Sequence, residues 1–290
     1  MRHLSIDIET KSSVDIGKAG LYRYAQSDDF EILLFAYRYG NEEVRIIDLA
    51  QGEKIPEAIV EDLKNSSIMK HAYNAAFEWY CLNRAGYMTP LGQWKCTMVH
   101  GLYCGYTAGL DATGKAIGLP QDKRKLATGK ALIRYFCVPC KPTKSNGNRS
   151  WNLPKHAPEK WELFKEYCRQ DVVTESAILA RLDAFPVPDE EEKLWQMDIR
   201  MNAFGVKVDS ELIRGALQVN EQSTILLETE AKEITGLDNP NSSAQLLDWI
   251  HKHGVEMDNL QKATVTEKLA DDLPDNVRRA LEIRQQLGKT

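Results

Sequence analysis

Apolar and polar residues alternate along the first third of the chain in short runs that are typical of β-strands. The first run covers residues 3–10, and in it Ile6 and Ile8 point to one face of the strand. Asp7 and Glu9 point to the other face, because successive side chains of a strand lie on opposite sides. The same pattern predicts four further strands, at residues 31–39, 43–48, 67–73 and 94–98.

Apolar residues between and after these strands recur at the spacing of an α-helix. Helices are predicted at residues 56–64, 75–85, 110–117, 127–136 and 158–184. The longest of them carries an apolar stripe formed by Trp161, Phe164, Cys168, Val172 and Leu179. Strands followed by a mainly helical half predict an α/β layer fold with a mixed sheet.

The sequence 185–188, Phe-Pro-Val-Pro, marks a predicted domain boundary, because proline cannot continue a helix. We therefore expect a first domain at 1–185 and a second, small and mainly α-helical domain at 186–290. The second domain should contain helices at 210–235, 243–253 and 274–287. Within the first domain, residues 138–158 are rich in proline and are predicted to form a long exposed loop.

Composition narrows the class of protein. Hydrophobic residues make up 43% of the chain and charged residues 27%, which is typical of a soluble globular domain. The absence of a membrane-length apolar run and of a secretory pattern, with six scattered cysteines, predicts a cytoplasmic protein with reduced thiols. The net charge is −5, yet residues 115–155 contain ten basic residues and one acid. That segment is either a phosphate-binding surface or a solvated loop.

Asp7 and Glu9 form the first candidate for chemistry. Acidic residues are depleted in strands, and two carboxylates on one strand face repel each other unless a cation lies between them. Oxygen ligands of this kind suit Mg²⁺ or Mn²⁺. The alternative is a solvated face of an edge strand, so the metal site depends on further ligands elsewhere in the chain.

Two later motifs supply candidates for those ligands. Glu78 follows Asn74 by four residues where a predicted strand gives way to a helix. A carboxylate in a first helical turn can serve the helix dipole or reach a metal beside the strand end. Tyr167 and Asp171 are also four residues apart, so they share one face of the long predicted helix.

Taken together, these motifs resemble the DEDD superfamily of 3′–5′ exonucleases in its tyrosine-bearing subclass. The chain has Asp-x-Glu at 7–9, Asn-x-x-x-acid at 74–78 and Tyr-x-x-x-Asp at 167–171, in the same order. The resemblance implies an α/β, ribonuclease H-like fold over about residues 1–185. The chain is most similar to the proofreading domains of bacteriophage family A DNA polymerases. It departs from the superfamily at Glu78, where an aspartate is usual.

The second domain is similar to the start of the polymerase domain and thumb of that family. The similar segments are 205–209, 241–246 and 281–290. The palm's Asp-x-Ser-x-x-Glu and His-Asp-Glu patterns do not occur in the sequence. We therefore do not expect this chain to polymerise DNA, and the remaining polymerase domains are possible partners.

The resemblance implies hydrolysis of the 3′-terminal phosphodiester of single-stranded or mispaired DNA with two divalent cations, Mg²⁺ or Mn²⁺. The implied metal ligands are Asp7, Glu9, Glu78 and Asp171. Tyr167 would orient the attacking water. The implied substrate contacts are Thr10, Asn74 and Phe77. The partners would be a single-stranded 3′ end and primer–template DNA in the cytoplasm of a bacterial host, without a membrane.

Two alternatives remain open at this point. The substrate could be the 3′ end of RNA, or the unusual Glu78 could mark a catalytically degenerate domain that only holds DNA. Three aromatic residues near the basic segment could stack on bases or belong to the core: Tyr135, Phe136 and Trp151. Cys137 and Cys140 have the spacing of half a zinc site, but no second pair with suitable spacing lies near them in sequence.

Overall fold

The computed structural model describes residues 2–124 and 129–288. It divides into two compact units, Met1–Gly205 and Val206–Thr290. The first unit therefore extends beyond the proline-rich segment at 185–188. The helix predicted at 127–136 has its first two positions outside the described residues, and Lys125, Lys289 and Thr290 of the segments discussed above also lie outside them.

A five-stranded mixed sheet forms the centre of the first unit. Its strands are β1 Arg2–Lys11, β2 Glu31–Tyr39, β3 Arg45–Asp48, β4 Ile68–Ala72 and β5 Trp94–Cys96. Their order is β3-β2-β1-β4-β5, with β1 antiparallel to β2 and parallel to β4. At the two edges of the sheet, β3 is antiparallel to β2 and β5 is parallel to β4. This is the ribonuclease H-like arrangement, so the predicted fold class is confirmed.

The helices follow the order expected for such a fold. In the first unit they are α1 Ile16–Ala25, α2 Glu57–Lys64, α3 Ala75–Arg84, α4 Thr97–Tyr103, α5 Leu110–Ala116, α6 Gly129–Phe136, α7 Pro158–Leu182 and α8 Asp189–Phe204. In the second unit they are α9 Ser210–Thr235, α10 Ser243–Lys252, α11 Lys262–Lys268 and α12 Asp275–Leu287. Helices α1 and α4 were not predicted from the sequence, and no bounds were predicted for α8 and α11.

Helices cover both faces of the sheet. Ile6 and Ile8 of β1 belong to the core on the side of α1, α2 and α3. The opposite face packs against α6 and α7, and there Leu34 and Ala36 of β2 meet the apolar stripe of α7. Most of the predicted stripe is buried, but Leu179 is half-buried and its neighbour Ile178 is buried instead. Each fully buried large side chain contributes about 1.5–3 kcal/mol, which fixes α7 across β1 and β2.

Helix α8 packs against the rest of the first unit through polar and apolar contacts. Lys95 of β5 forms an ion pair with Glu192 at 3.0 Å, and Ile199 is buried. The Tyr22 hydroxyl donates a hydrogen bond to the Ile199 carbonyl oxygen at 3.4 Å. These contacts explain why the compact unit ends at Gly205 rather than at the prolines.

The proline-rich segment between α6 and α7 is mostly exposed, as predicted, but it is internally ordered by side-chain hydrogen bonds. Arg149 donates to the Asn146 carbonyl oxygen at 3.0 Å and to Asn152 Oδ1 at 2.9 Å. Asn152 in turn donates to the Tyr135 carbonyl oxygen at 3.0 Å, which ties the segment to α6. Phe136 lies in the core and is excluded as a stacking platform.

The second unit has a core of its own, which draws on α10, α11 and α12. Its fully buried members include Ile250, Val277 and Leu281. Arg279 of α12 forms a bidentate contact with Glu230 of α9, at 2.7 and 2.8 Å. Among the described residues, no helix has both the length and the apolar character needed to cross a membrane.

Candidate metal centre

The central strand β1 holds Asp7 and Glu9 on the face that is covered by α7. Opposite them on β2 lie Ala36 and Leu34, two residues of the core on that side. Glu9 is 8% exposed and Asp7 is half-buried. The pairing with β2 shifts register immediately after Glu9, and such irregularities bend a strand and redirect side chains. Both acids therefore lie on the central strand of the sheet, which pairs with β2 and β4.

Cys168 of α7 lies directly against these two acids. Its thiol donates to Asp7 Oδ2 at 3.4 Å. One ligand atom each of Asp7, Glu9 and Cys168 can be chosen so that all three lie within 4.8 Å of one another. The sequence analysis placed Cys168 in the apolar stripe and missed this contact. Its position inside the Tyr167–Asp171 motif is the signal that could have revealed it.

Glu78 lies in the first turn of α3, as its position after β4 predicted. Its side chain is 5% exposed, and Oε2 has no hydrogen-bond partner among the described residues. Burial raises the pKa of the Glu78 carboxyl well above its ordinary value, and the negative charge of Asp7 raises it further. The charge of Asp171 acts in the same direction. Glu78 therefore belongs to the same cluster as the acids of β1 and α7.

Asp171 and Tyr167 lie one turn apart on α7, and both are buried. The Tyr167 hydroxyl is hydrogen-bonded to the Asp171 carboxylate. Burial raises the pKa of Tyr167, and the negative charges of Asp171, Glu9 and Asp7 raise it further. The phenol is thus held in its protonated form, so it acts as a hydrogen-bond donor and not as a base.

Gly129, the first residue of α6, approaches the ring of Tyr167 closely. A Cβ atom at Gly129 would lie 2.0 Å from Tyr167 Cε2 and 2.4 Å from Cζ, so a larger residue would force the ring or α6 to shift. The ring also stacks on Phe164, with ring centres 6.2 Å apart and planes at 9°. The tyrosine ring is therefore in contact with both α6 and its own helix. Nothing in the sequence pattern singled out Gly129.

The three predicted substrate contacts lie in different environments. Thr10 is buried, and its hydroxyl is hydrogen-bonded to the Tyr24 hydroxyl at 2.8 Å. Asn74 is exposed at the N-terminus of α3, and its side chain makes no capping hydrogen bond. Phe77 is half-buried, and its ring packs against Tyr24 with centres 6.3 Å apart. Of the three, Asn74 has the side chain most open to a ligand.

A further buried acid, Glu175, lies one turn beyond Asp171 on α7 and was missed by the sequence analysis. Its carboxylate accepts hydrogen bonds from Thr97 and, at 3.2 Å, from Ser176. The Ser5 hydroxyl lies 3.2 Å from that of Ser176 and is also hydrogen-bonded to Glu175. Burial raises the pKa of Glu175, although these hydrogen bonds act against the shift. Its partners come from β1 and α4, far apart in sequence.

The donor set of the cluster fits a divalent cation. Four carboxylates converge where β1, α3 and α7 meet: Asp7, Glu9, Glu78 and Asp171. Concentrated negative charge in a buried place is costly unless a cation compensates for it. Carboxylate oxygens are the ligands that Mg²⁺ and Mn²⁺ prefer. The partnerless Oε2 of Glu78 is the atom that such an ion would satisfy.

Comparison with known proteins finds a relative of this sequence. The chain is 47% identical over 291 residues to a DNA polymerase of Bacillus phage SP02, and the alignment covers all of this chain. This chain is similar to part of a phage DNA polymerase. It spans 45% of that relative's length, and no family model matches it.

Two solved structures share weaker similarity. Brucella melitensis NrnC bound to pGG is 16% identical, with a TM-score of 0.36 over 68% of this chain and 79% of that one. A structure described as the apo form of the nuclease is also 16% identical. It has a TM-score of 0.39 over 72% of this chain and 88% of that chain.

Proposed function

We propose that this chain is a metal-dependent 3′–5′ exonuclease that removes nucleotides from single-stranded or mispaired 3′ ends of DNA. It would be the proofreading part of a family A DNA polymerase, with the remaining polymerase domains as partners. The main support is the buried cluster of four carboxylates, in which Glu78 Oε2 has no partner among the described residues. The relative named a DNA polymerase supports the link to DNA.

The four carboxylates would hold the metal ions. When bound, two divalent cations would supply an activated water and would stabilise the departing oxygen. Asp7 and Glu9 contribute from β1, Asp171 from α7 and Glu78 from α3. Because the acids come from three elements packed on one sheet, their positions are set before the substrate arrives. Such preorganisation lowers the cost of assembling the site during the reaction.

Tyr167 would orient the attacking water through its hydroxyl. The raised pKa keeps the phenol protonated, and its hydrogen bond to Asp171 fixes the direction of the oxygen. A lone pair of that oxygen remains able to accept a hydrogen bond from water. The close approach of Gly129 and the stacking on Phe164 limit the positions that the ring can take.

The exposed segment before α7 would bind the strand that leads into the site. Its basic residues include Lys141 and Lys144, both exposed. Trp151 is half-buried, and Lys11 Nζ lies 5.4 Å from its ring centre. Lysines of this kind contact phosphates, and aromatic rings stack on bases. Unpairing a terminal nucleotide costs a few kcal/mol and least for a mismatch, so a site that takes single strands favours errors.

The test is digestion of a 5′-labelled DNA strand by the chain in Mg²⁺ or Mn²⁺. We expect stepwise shortening from the 3′ end, faster for a single strand or a mispaired end than for a matched duplex. The matched control is Asp7→Ala, which removes one carboxylate of the cluster. Shortening no faster than in this control would contradict the exonuclease. Cleavage of RNA alone, with an equal DNA strand left intact, would contradict the DNA substrate.

A further inference from the structure

Cys168 gives this metal centre a sulfur atom beside its oxygen ligands. The thiol is fully buried in α7, and Sγ lies 3.4 Å from Asp7 Oδ2 and 3.9 Å from the Asp7 carbonyl oxygen. Of the described residues, Asp7, Glu9 and Cys168 form a group whose ligand atoms all lie within 4.8 Å of one another. The proposed hydrolysis uses only oxygen ligands, so the sulfur has no role in it.

We propose that Asp7, Glu9 and Cys168 bind a thiophilic divalent cation, such as Zn²⁺ or Co²⁺, in competition with Mg²⁺. The inference rests on the proposed function, because it takes the acid cluster to be a metal centre. Soft thiolate ligands favour Zn²⁺, whereas Mg²⁺ is bound by carboxylate, carbonyl and water oxygens. The same pocket would thus hold Mg²⁺ for hydrolysis and a thiophilic ion in an inhibited state.

The observed spacing fits such an ion. Bonds of about 2.0 Å from oxygen and about 2.3 Å from sulfur in a tetrahedral arrangement place the two ligand atoms about 3.5 Å apart. Asp7 Oδ2 and Cys168 Sγ are 3.4 Å apart. The three ligand atoms lie within 4.8 Å of one another, so no pair has to approach by more than about 1.3 Å to reach that tetrahedral spacing. Binding therefore requires little movement of α7 against β1.

Glu78 provides a second, independent indication of a ligand at this place. Its Oε2 is buried without a hydrogen-bond partner among the described residues. Among the neighbouring charges, that of Asp7 raises the pKa of Glu78 most, so the two carboxylates lie near each other. A cation stabilises two buried carboxylates that lie side by side.

Binding through Cys168 is a ligand exchange without oxidation or reduction. The S–H bond breaks, the sulfur donates an electron pair to the cation, and a sulfur–metal bond forms. The proton passes to solvent water or buffer, as in other metal–thiolate sites. Asp7 is half-buried and is therefore the member of the group closest to solvent, which gives the proton and the ion a route.

Titration of the full chain with Co²⁺ tests the sulfur ligand directly. A cobalt–thiolate bond gives a charge-transfer absorption in the near ultraviolet that cobalt bound by oxygen alone lacks. We expect this absorption in the wild-type chain and its loss in Cys168→Ser. Zn²⁺ should bind Cys168→Ser at least about tenfold more weakly than wild type. Circular dichroism and metal-free thermal unfolding check that the variant is folded, and Cys168→Ala serves as a second variant.

The matched control is the double variant Cys104→Ser and Cys140→Ser. Both thiols are half-buried and donate to a backbone carbonyl, that of Phe185 at 3.8 Å and that of Arg149 at 3.4 Å. A serine hydroxyl can make the same hydrogen bonds, so this variant should keep the absorption. Absorption that persists in folded Cys168→Ser or Cys168→Ala, or that disappears in the control, would overturn the inference.

The inference and the proposed function fail in different ways. One outcome is that Co²⁺ binds without the sulfur absorption and that this binding is lost in Asp7→Ala. That outcome overturns the role of Cys168 and leaves the exonuclease standing. A sulfur absorption that depends on Cys168, together with no digestion of DNA in Mg²⁺ or Mn²⁺, supports the thiolate site and overturns the exonuclease.

Discussion

Helix α7 carries two buried acids one turn apart, and their surroundings differ. Glu175 accepts hydrogen bonds from Thr97 and Ser176. Asp171, four residues earlier, accepts a hydrogen bond from Tyr167, and its charge acts on Tyr167 together with those of Asp7 and Glu9. Residues four apart share a helix face, so both acids point toward the sheet, and the charges of both raise the pKa of Glu78. Glu175 thus has hydroxyl donors from three elements, whereas Asp171 has Tyr167 and lies among the acids of β1.

This difference separates a structural acid from an acid that belongs to a binding site. A buried polar group that is hydrogen-bonded stabilises the packing around it, whereas buried like charges destabilise the fold until a cation arrives. We therefore expect substitutions near Glu175 to change stability and substitutions in the acid cluster to change activity. The following predictions test that distinction in order of decreasing effect.

Asp7→Asn should have the largest effect on activity. Asp7 is the member of the cluster that interacts with Glu9, Glu78 and Cys168, so its loss disrupts the metal centre. We expect digestion to slow by about 10³-fold or more, which corresponds to about 4 kcal/mol. Metal-free stability should stay equal or rise, because one of the repelling charges is gone. Single-turnover digestion and metal-free thermal unfolding measure both; an unfolded variant would refute the prediction.

Glu175→Ala should have the largest effect on stability. It leaves Thr97 without its acceptor, removes one of the partners of Ser176 and opens a cavity beside Ser5. The expected loss is about 2–3 kcal/mol of the free energy of unfolding. Glu175→Gln keeps an acceptor oxygen and should lose less. Denaturant unfolding measures the change, and DNA digestion by the folded fraction should remain close to wild type. A thousandfold loss of activity without destabilisation would place Glu175 in the reaction instead.

Tyr167→Phe should slow the chemical step about 10–100-fold, equivalent to about 1.4–2.7 kcal/mol. The hydroxyl that contacts Asp171 is lost, whereas the ring keeps its stacking on Phe164 and its contact with Gly129. Affinity for a single DNA strand in the absence of divalent cations should change little. Single-turnover rates and binding by fluorescence anisotropy separate the two effects. Unchanged turnover would remove Tyr167 from the reaction.

The sequence predicts most of the strands and helices that carry these residues. The alternation in β1 and the apolar stripe of α7 are strong periodic signals, and both elements occur where they were expected. Helix α1 was missed because Gly20 interrupts it with a positive φ of 76°. Residues 186–204 were assigned to the second domain on the strength of the prolines, yet α8, which they contain, packs on the rest of the first unit through Glu192 and Ile199.

Sequence patterns predict less of the candidate site where the site depends on tertiary contacts. The spacings within each motif indicate Asp7, Asp171 and Tyr167, because each motif is local. The donors to Glu175 and the approach of Gly129 to Tyr167 join segments that are distant along the chain. No periodicity encodes such contacts. Cys168 follows the apolar period of its helix, so its pattern is that of an ordinary core residue.

Gly129→Ala should slow the reaction about tenfold, which is about 1.4 kcal/mol. The new methyl group cannot occupy a position 2.0 Å from Tyr167 Cε2, so the ring or α6 must shift. Combination with Tyr167→Phe should give a rate no lower than the slower single variant, because both act through the same hydroxyl. Rates of the two single variants and the double variant form the cycle. Fully additive losses would show that Gly129 acts elsewhere.

The smallest expected effect is on the pH dependence of stability. Its measurement compares Glu78 with Glu175 directly. Burial and the charge of Asp7 raise the pKa of Glu78 in the folded chain, whereas the unfolded value is about 4.3. The folded chain therefore binds the proton of the Glu78 carboxyl more tightly than the unfolded chain does. Stability decreases as the pH rises above about 4.3 toward the pKa of Glu78 in the folded chain. Glu78→Gln should remove the part of that decrease that Glu78 contributes.

Burial also raises the pKa of Glu175, so it contributes a decrease of the same sign. Mg²⁺ distinguishes the two contributions, because a cation in the acid cluster stabilises ionised Glu78, whereas Thr97 and Ser176 occupy the carboxylate of Glu175. Thermal unfolding from pH 4 to 8 should show that Mg²⁺ reduces the decrease in wild type and has a smaller effect in Glu78→Gln. If the curves of the two proteins are parallel with and without Mg²⁺, Glu78 is not a metal ligand, and it joins Glu175 as a structural acid.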